Sequence, residues 1–200
     1  LLPVSDLEIL LARIFENFKI TENAEITIEA NPDDLTKEKL AELKILPINR
    51  LSIGIQSFFE NELKWMNRSH DANQAEECVI NAQNIGLENI SIDLIYGVPG
   101  SDLKSWEMNL KKAINLSVPH VSSYCLTVEP KTALSSFVKN GKSKDVDENM
   151  ASKQFETLVA KLENAGYEHY EISNFAKPGC YSKHNTSYWQ GKKYLGLGPS

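Results

Sequence analysis

The sequence predicts an α/β protein in which a parallel sheet curves as part of a barrel. Segments with the two-residue period of a strand alternate with segments of helical spacing along most of the 200 residues. Each intervening segment is long enough for the crossover that parallel strands require. Three predicted strands also carry small or polar residues on one face, which fits a barrel lumen better than a doubly wound sheet with two apolar faces.

The strands are predicted from alternating apolar and polar residues, as in "AEITIEA", "NRLSIGIQ" and "ENISIDLIYG". Helices are predicted from apolar residues three and four positions apart; Ser5 and Glu8 have the spacing of a capping box before the first of them. The predicted strands are 24–30, 49–56, 88–97, 120–128 and 167–173. The predicted helices are about 6–18, 36–46, 59–67, 71–86, 101–116 and 147–165.

Two regions lack a clear period. The polar stretch 131–144 predicts a mobile insertion, and the last 27 residues combine Gly, Pro, Asn and aromatic residues without periodicity. We therefore expect a partial β/α barrel over 1–173 and the start of a C-terminal extension over 174–200.

Composition excludes several classes of protein. A net charge of −6 argues against a nucleic-acid partner, and no apolar run approaches the roughly 18 residues of a transmembrane segment. The three cysteines, Cys78, Cys125 and Cys180, are too widely spaced for a disulfide framework or a metal cluster, which favours reduced thiols in the cytoplasm. The absence of an initial Met and the Gly-rich end lead us to expect a piece of a longer protein.

The polar face of the predicted sheet ends in residues whose side chains can bind a ligand or take part in catalysis. Glu29, Gln56 and Asp93 lie toward the carboxyl ends of their strands, where barrels of this kind place their functional groups. Buried polar groups need partners, which here are one another, Arg50, Arg68, water or a ligand. Two alternatives stay open: an antiparallel sheet wetted on one face, or side chains that only satisfy each other, with Arg68 paired to Asp93 or Glu29.

Several motifs together resemble one family. The stretches "IEANPDDLT", "NRLSIGIQSF", "NRSHDANQA", "ISIDLIYGVPG", "YEISNFAKPG" and "HNTSYWQGKKYLGLGP" are similar to the oxygen-independent coproporphyrinogen III oxidase family of radical S-adenosylmethionine (SAM) proteins. The "HNTSYW" ending looks closer to the HemW haem-chaperone branch than to the oxidases. The resemblance covers nearly the whole chain.

The resemblance implies a partial (β/α)6 radical-SAM-type barrel, N-terminally truncated here. It implies SAM and a [4Fe–4S] cluster as cofactors, and a 5′-deoxyadenosyl radical that starts the oxidative decarboxylation of porphyrinogen propionates in the oxidases. Members of the HemW branch bind haem instead, so the implied partner is haem or another tetrapyrrole. By motif, Glu29, Gln56, Arg68 and Asp93 are the positions that contact SAM.

The sequence departs from the family at its cluster. The family's CxxxCxxC motif and the Gly-rich loop for the SAM amino group do not occur in this sequence, so we expect no metal ligands in this chain and no radical chemistry from it alone. His184 in "HNTSYW" is our candidate for contact with haem or substrate, and no catalytic residue is assigned.

Two further expectations remain. An alternative outside this family is a barrel hydrolase that uses Glu29 and Asp93 as an acid/base pair. If strands are missing before residue 24, the strand 24–30 has an open edge, and we expect self-association through it or a shielded edge.

Overall fold

Six strands form one open sheet in the computed structural model, which describes residues 1–198. The strands are β1 (Thr27–Ala30), β2 (Arg50–Gln56), β3 (Ile90–Tyr96), β4 (His120–Cys125), β5 (Glu168–Glu171) and β6 (Asn174–Ala176). Their spatial order is β1-β2-β3-β4-β6-β5, and the first four are parallel. The predicted α/β class and the alternation of strands and helices are confirmed.

Eight α-helices precede, connect or follow these strands within residues 1–198. They are α1 (Val4–Asn17), α2 (Lys37–Ile45), α3 (Glu60–Trp65), α4 (Ala72–Asn84), α5 (Leu103–Asn115), α6 (Ala133–Lys139), α7 (Glu148–Asn164) and α8 (Lys183–Trp189). Side chains at the N-caps accept bonds from the first turns of several of them, as Asp71 does for α4 and Asp102 for α5. The capping box expected at Ser5 and Glu8 is wrong, because α1 begins two residues earlier than predicted, at Val4 after Pro3, whose fixed φ suits a helix start.

The prediction of a parallel sheet is wrong at the end of the sheet formed by β6 and β5. β6 runs antiparallel to both β4 and β5. Only two residues separate β5 from β6, which is a hairpin connection and far too short for a parallel crossover. The predicted division at residue 173 falls between these two strands, and the division itself stays a prediction.

Two segments without a sequence period contain regular structure. The stretch 131–144 holds α6, whose N-cap Thr132 accepts a hydrogen bond from Ser135 N at 3.2 Å, so it is not irregular throughout, and its mobility stays a prediction. β6 has only three residues, all buried, so it is too short to show alternation.

One face of the sheet carries the core. The apolar residues of β2 and β3 on this face are each 1% exposed or less, and α2, α4, α5 and α7 contribute further buried side chains to the same cluster. Burying one such Leu or Ile side chain contributes about 1.5–3 kcal/mol, so this face fixes the register of the sheet. The central members are Leu51, Ile53, Ile55, Ile90, Ile92 and Leu94.

β1 and β5 are the two edges of the sheet across residues 1–198. Self-association through β1 stays a prediction. None of the helices in the described part of the chain is long and apolar enough to cross a membrane.

Candidate functional site

Four polar residues predicted from the sequence line one cavity. Glu29 pairs in register with Ser52, and Asp93 with Ser122, so neighbouring strands present their polar side chains to a common side. A cavity of about 420 Å³ is lined by Glu29, Gln56, Arg68 and Asp93, which lie toward the carboxyl ends of β1–β3 and after β2. The structure brings these residues together as expected, while their role in binding stays a prediction.

The end of β2 bends to bring Gln56 to the cavity. The register between β2 and β3 shifts between Ile53 and Gln56, and Gln56 has a φ of 64°, which is uncommon for a residue with a side chain. A buried network fixes the turn that follows: Phe58 N donates to Asn109 Oδ1 at 2.7 Å, and Ser57 and Glu62 complete it. Strained backbone of this kind persists only where its surroundings over-determine it, as at binding sites.

Gly54 leaves the room in which three polar side chains meet. A Cβ at this position would lie 2.9 Å from Gln56 Nε2, 3.3 Å from Arg68 Nη2 and 3.4 Å from Asn31 Oδ1. The sequence shows Gly54 on the polar face but gives no sign of this convergence. Gly54 and Asn31 are therefore functional candidates that sequence reasoning missed.

Arg68 is not ion-paired within the site. Its Nη2 donates to Asn31 Oδ1 at 2.6 Å and to the Gly54 carbonyl at 3.3 Å. Across residues 1–198 it forms no salt bridge, so the alternative of an ion pair with Asp93 or Glu29 is wrong. Because both hydrogen bonds use one nitrogen, the rest of the guanidinium is available to a bound carboxylate.

The pKa of the Asp93 carboxyl group is raised. Burial raises its pKa from the usual 3.8 to about 6, the Glu29 carboxylate adds to that rise, and a hydrogen bond with Ser122 together with Arg50 and Arg68 opposes it. A carboxyl group with this pKa is mostly ionised at neutral pH and gains a proton under mildly acidic conditions. It therefore accepts hydrogen bonds from hydroxyl or ammonium groups at pH 7.

A second, larger cavity of about 730 Å³ shares Glu29, Ser52 and Asp93 with the first. It extends to the amino ends of the strands, where Thr27 and Arg50 line it. Apolar residues of α1 and polar residues of the segment 182–185 close it. The polar face is thus one trough with two connected compartments.

His184 belongs to the larger compartment and not to the smaller one. Its exposed ring meets Tyr188 edge-on, with 4.9 Å between ring centroids, and its backbone N–H donates to Glu25 Oε1 at 3.3 Å. The candidate for haem contact therefore shares a compartment with Glu29 and Asp93 but not with Gln56 or Arg68.

His120 forms a polar network that the sequence did not reveal. Ser91 Oγ lies 2.7 Å from its Nδ1 and Tyr170 OH lies 2.7 Å from its Nε2, and the ring is fully buried. Burial lowers the pKa of His120 to about 3, with the nearby Arg50 as a second cause, so the ring is neutral. Tyr170 OH also accepts from Ser182 N at 3.3 Å, which helps hold the segment before α8.

The chain's own residues fit one of the two family cofactors. For SAM, the trough offers carboxylates, an amide and a guanidinium around a glycine that leaves open space. For an iron–sulfur cluster, residues 1–198 contain no group of three or more His, Cys, Asp or Glu that could hold a metal. The described residues therefore do not fit an iron–sulfur cluster.

A match to a family model identifies the class of protein. Residues 3–113 match the model of the Radical SAM superfamily, and the chain belongs to this family. The predicted family and the radical-SAM-type fold are thereby confirmed.

Individual relatives narrow the resemblance to the HemN/HemW-like group, with the HemW branch favoured. The chain is 41% identical over 175 residues to heme chaperone HemW of Bacillus subtilis, covering 88% of this chain and 46% of the relative. It is 34% identical over 192 residues to HemW of Escherichia coli, covering 96% and 50%. It matches the structure of coproporphyrinogen III oxidase HemN from Escherichia coli, a radical SAM enzyme, with a TM-score of 0.77 and 26% identity over 95% of this chain and 43% of that one.

The chain spans about half the length of the curated relatives it matches. None of these comparisons supports the alternative of a barrel hydrolase based on Glu29 and Asp93.

Proposed function

We propose that this chain is the SAM-binding part of a haem-handling radical SAM protein of the HemW type. The observation that carries the proposal is the convergence of Glu29, Gln56, Arg68 and Asp93 on one cavity at the carboxyl ends of three parallel strands. Sites at this end of parallel sheets are built from different strands, and such a set recognises a ligand with several polar groups.

Each residue has a role that its chemistry allows. Glu29 and Asp93 accept hydrogen bonds from ribose hydroxyls, and Gln56 both donates and accepts. The guanidinium of Arg68 binds the carboxylate of the methionine moiety, because its planar fork matches a carboxylate. In this proposal the chain's own residues would bind SAM and orient its nucleoside and methionine groups.

Titration calorimetry with SAM tests the binding half of the proposal. We expect saturable binding to the wild-type chain and at least about tenfold weaker binding after Asp93→Asn or Arg68→Met, as the loss of one charged hydrogen-bonding group predicts. Glu88→Gln is the matched control for Asp93, since it changes an exposed carboxylate just before β3. Equal affinity in all four proteins would overturn the assignment.

The haem half of the proposal rests on the relatives that are heme chaperones and on His184 in the larger compartment. A haem titration followed by absorbance should give a bound spectrum with wild type that His184→Ala shifts or abolishes. His169→Gln is the control, because His169 is half-buried and lines neither compartment. An unchanged spectrum in His184→Ala would remove His184 from the proposal.

A second candidate function is oxygen-independent coproporphyrinogen III oxidase activity, favoured by the structural match to HemN. Anaerobic incubation of a longer protein that carries both this chain and a cluster-binding segment, with coproporphyrinogen III, SAM and a reductant, separates the two; this chain alone has no CxxxCxxC motif and is expected to be inactive in either case. A haem carrier gives no decarboxylation. Release of carbon dioxide would favour the oxidase.

The proposal also includes a cytoplasmic location and no nucleic-acid partner. Its support is the net charge of −6 and the three free cysteines, of which Cys78 is buried.

A further inference from the structure

Arg50 is a buried cation on the wall of the larger compartment. Its side chain is 5% exposed, and the one carboxylate within 4.0 Å in the described part of the chain is Glu25, at 4.0 Å between Nε and Oε2. That separation is beyond hydrogen-bond distance, and Arg50 Nε has no hydrogen-bond partner among residues 1–198. Buried guanidinium groups are normally paired and hydrogen-bonded, so this one lacks an acceptor.

Glu25 does not act as the hydrogen-bond acceptor for Arg50 Nε, because its two oxygens accept hydrogen bonds from other groups. Oε2 accepts from Lys183 N at 3.1 Å and Oε1 from His184 N at 3.3 Å. The carboxylate therefore holds the first turn of α8, and its negative charge is partly compensated by those two backbone N–H groups. Arg50 keeps donors that a ligand oxygen can use.

The same compartment offers an apolar wall. Leu11, Ile14 and Phe15 of α1 line it together with Ile20 and Ile26. Ile14 is 38% exposed and Phe15 45% exposed, which is high for large apolar side chains facing a cavity. A ligand with an apolar body would bury these side chains.

Charge sets the orientation of such a ligand. Glu29 and Asp93 lie where the two compartments join, and their carboxylates repel an anion there. Arg50 lies at the start of β2, away from that junction along the strand direction. An acidic group is therefore better placed beside Arg50 than at the junction.

We propose that Arg50 binds a carboxylate of an amphiphilic ligand whose apolar body lies against α1 in the larger compartment. The proposal rests on the proposed function in one respect: a tetrapyrrole with acidic side chains is the ligand class with this combination of groups. The planar guanidinium suits a carboxylate better than an ammonium would, since it donates two parallel hydrogen bonds.

Protoporphyrin IX and its dimethyl ester are the probes that test this. Both are metal-free, so His184 cannot ligate them, and they differ only in their carboxylates. In fluorescence titrations with the wild-type chain, the diacid should bind at least about tenfold more tightly than the ester. This is the effect expected from one charge-assisted hydrogen-bonded pair between Arg50 and a porphyrin carboxylate. The preference should vanish in Arg50→Met and persist in part in Arg50→Lys. Arg13→Met, on the exposed side of α1, is the control that should keep the preference.

Equal binding of diacid and ester by wild type overturns the proposal, as does a preference that persists in Arg50→Met. Should Arg50→Met fail to fold, as circular dichroism would show, the wild-type comparison still decides. If haem binds in a His184-dependent manner while diacid and ester bind alike, only this inference fails. If neither haem nor either porphyrin binds, the haem half of the proposed function fails with it.

Discussion

The two faces of β1–β3 are built from the same strands and serve opposite purposes. On one face, Ile53, Ile55 and Ile92 are completely buried against helices. On the other, Glu29, Gln56 and Asp93 surround open space. The difference shows that the alternation of side chains separates stability from binding at the level of single residues.

The polar face contains features that lower the stability of the folded chain, and packing on the apolar face offsets them. Gln56 occupies a left-handed backbone conformation, and Asp93 holds a carboxylate in a partly buried position. Residues that reduce stability in the absence of ligand are expected at binding sites. Substitutions on the two faces should therefore move stability and affinity independently.

The largest expected effect is on the apolar face. Ile92→Ala should lower the free energy of unfolding by about 4 kcal/mol, because it removes buried methyl groups and leaves a cavity. SAM affinity of the remaining folded protein should stay unchanged. Ile80→Ala, at a 40% exposed position on α4, is the control and should cost no more than about 1 kcal/mol in urea titrations. A large loss of affinity in Ile92→Ala would show that the faces are coupled.

Asp93→Asn should have the opposite effect on stability. The folded pKa of about 6 lies above the usual 3.8, so the folded state binds the proton more tightly and this group's contribution to stability falls as pH rises from about 4 to 6. Removing the charge should stabilise the protein above pH 7 by up to about 3 kcal/mol and change little near pH 4. His120 titrates in the other sense, since its lowered pKa makes stability fall on acidification.

The measurement is therefore the difference between wild type and Asp93→Asn at each pH, which cancels the contribution of His120. A difference that does not vary with pH would contradict the raised pKa.

Gly54→Ala should separate binding from stability most sharply. The added methyl group meets the flexible ends of Gln56 and Arg68, so these side chains shift and SAM affinity should fall about tenfold, while unfolding changes by less than about 1 kcal/mol. Gly97→Ala is the matched comparison: its φ of 78° makes an alanine strained, so it should lose stability by about 1–2 kcal/mol. Unchanged SAM affinity in Gly54→Ala would mean that the convergence at Gly54 does not form the site.

Gln56→Gly should have the smallest effect on stability. Glycine relieves the left-handed strain at a φ of 64° but adds freedom to the unfolded chain, and the two terms of about 1 kcal/mol each nearly cancel. SAM affinity should still decrease because the amide group is lost. Thermal unfolding and calorimetry on the same sample check both expectations, and a stability loss above about 2 kcal/mol would show that Gln56 has a structural role.

The sequence predicted the polar face better than the detailed site on it. Alternation in "ISIDLIYG" was enough to place Asp93 on the polar side, since side chains alternate in regular strands. Gln56 was predicted on the same side, but it reaches the cavity through a register shift and a left-handed backbone that the alternation does not show. The role of Gly54 was hidden because it depends on side chains from three separate segments. The arrangement of β6 was missed for a similar reason: three residues carry too little pattern, and their place between β4 and β5 is set by tertiary pairing.

The central claim is that the carboxyl ends of β1–β3 bind SAM on their polar face. Backbone amide NMR of the labelled chain during a SAM titration tests it most directly, because weak binding is still located residue by residue. The account predicts that the largest shifts cluster at Glu29, Gly54, Gln56, Arg68 and Asp93. Shifts confined to other surfaces, or none at millimolar SAM, would contradict it.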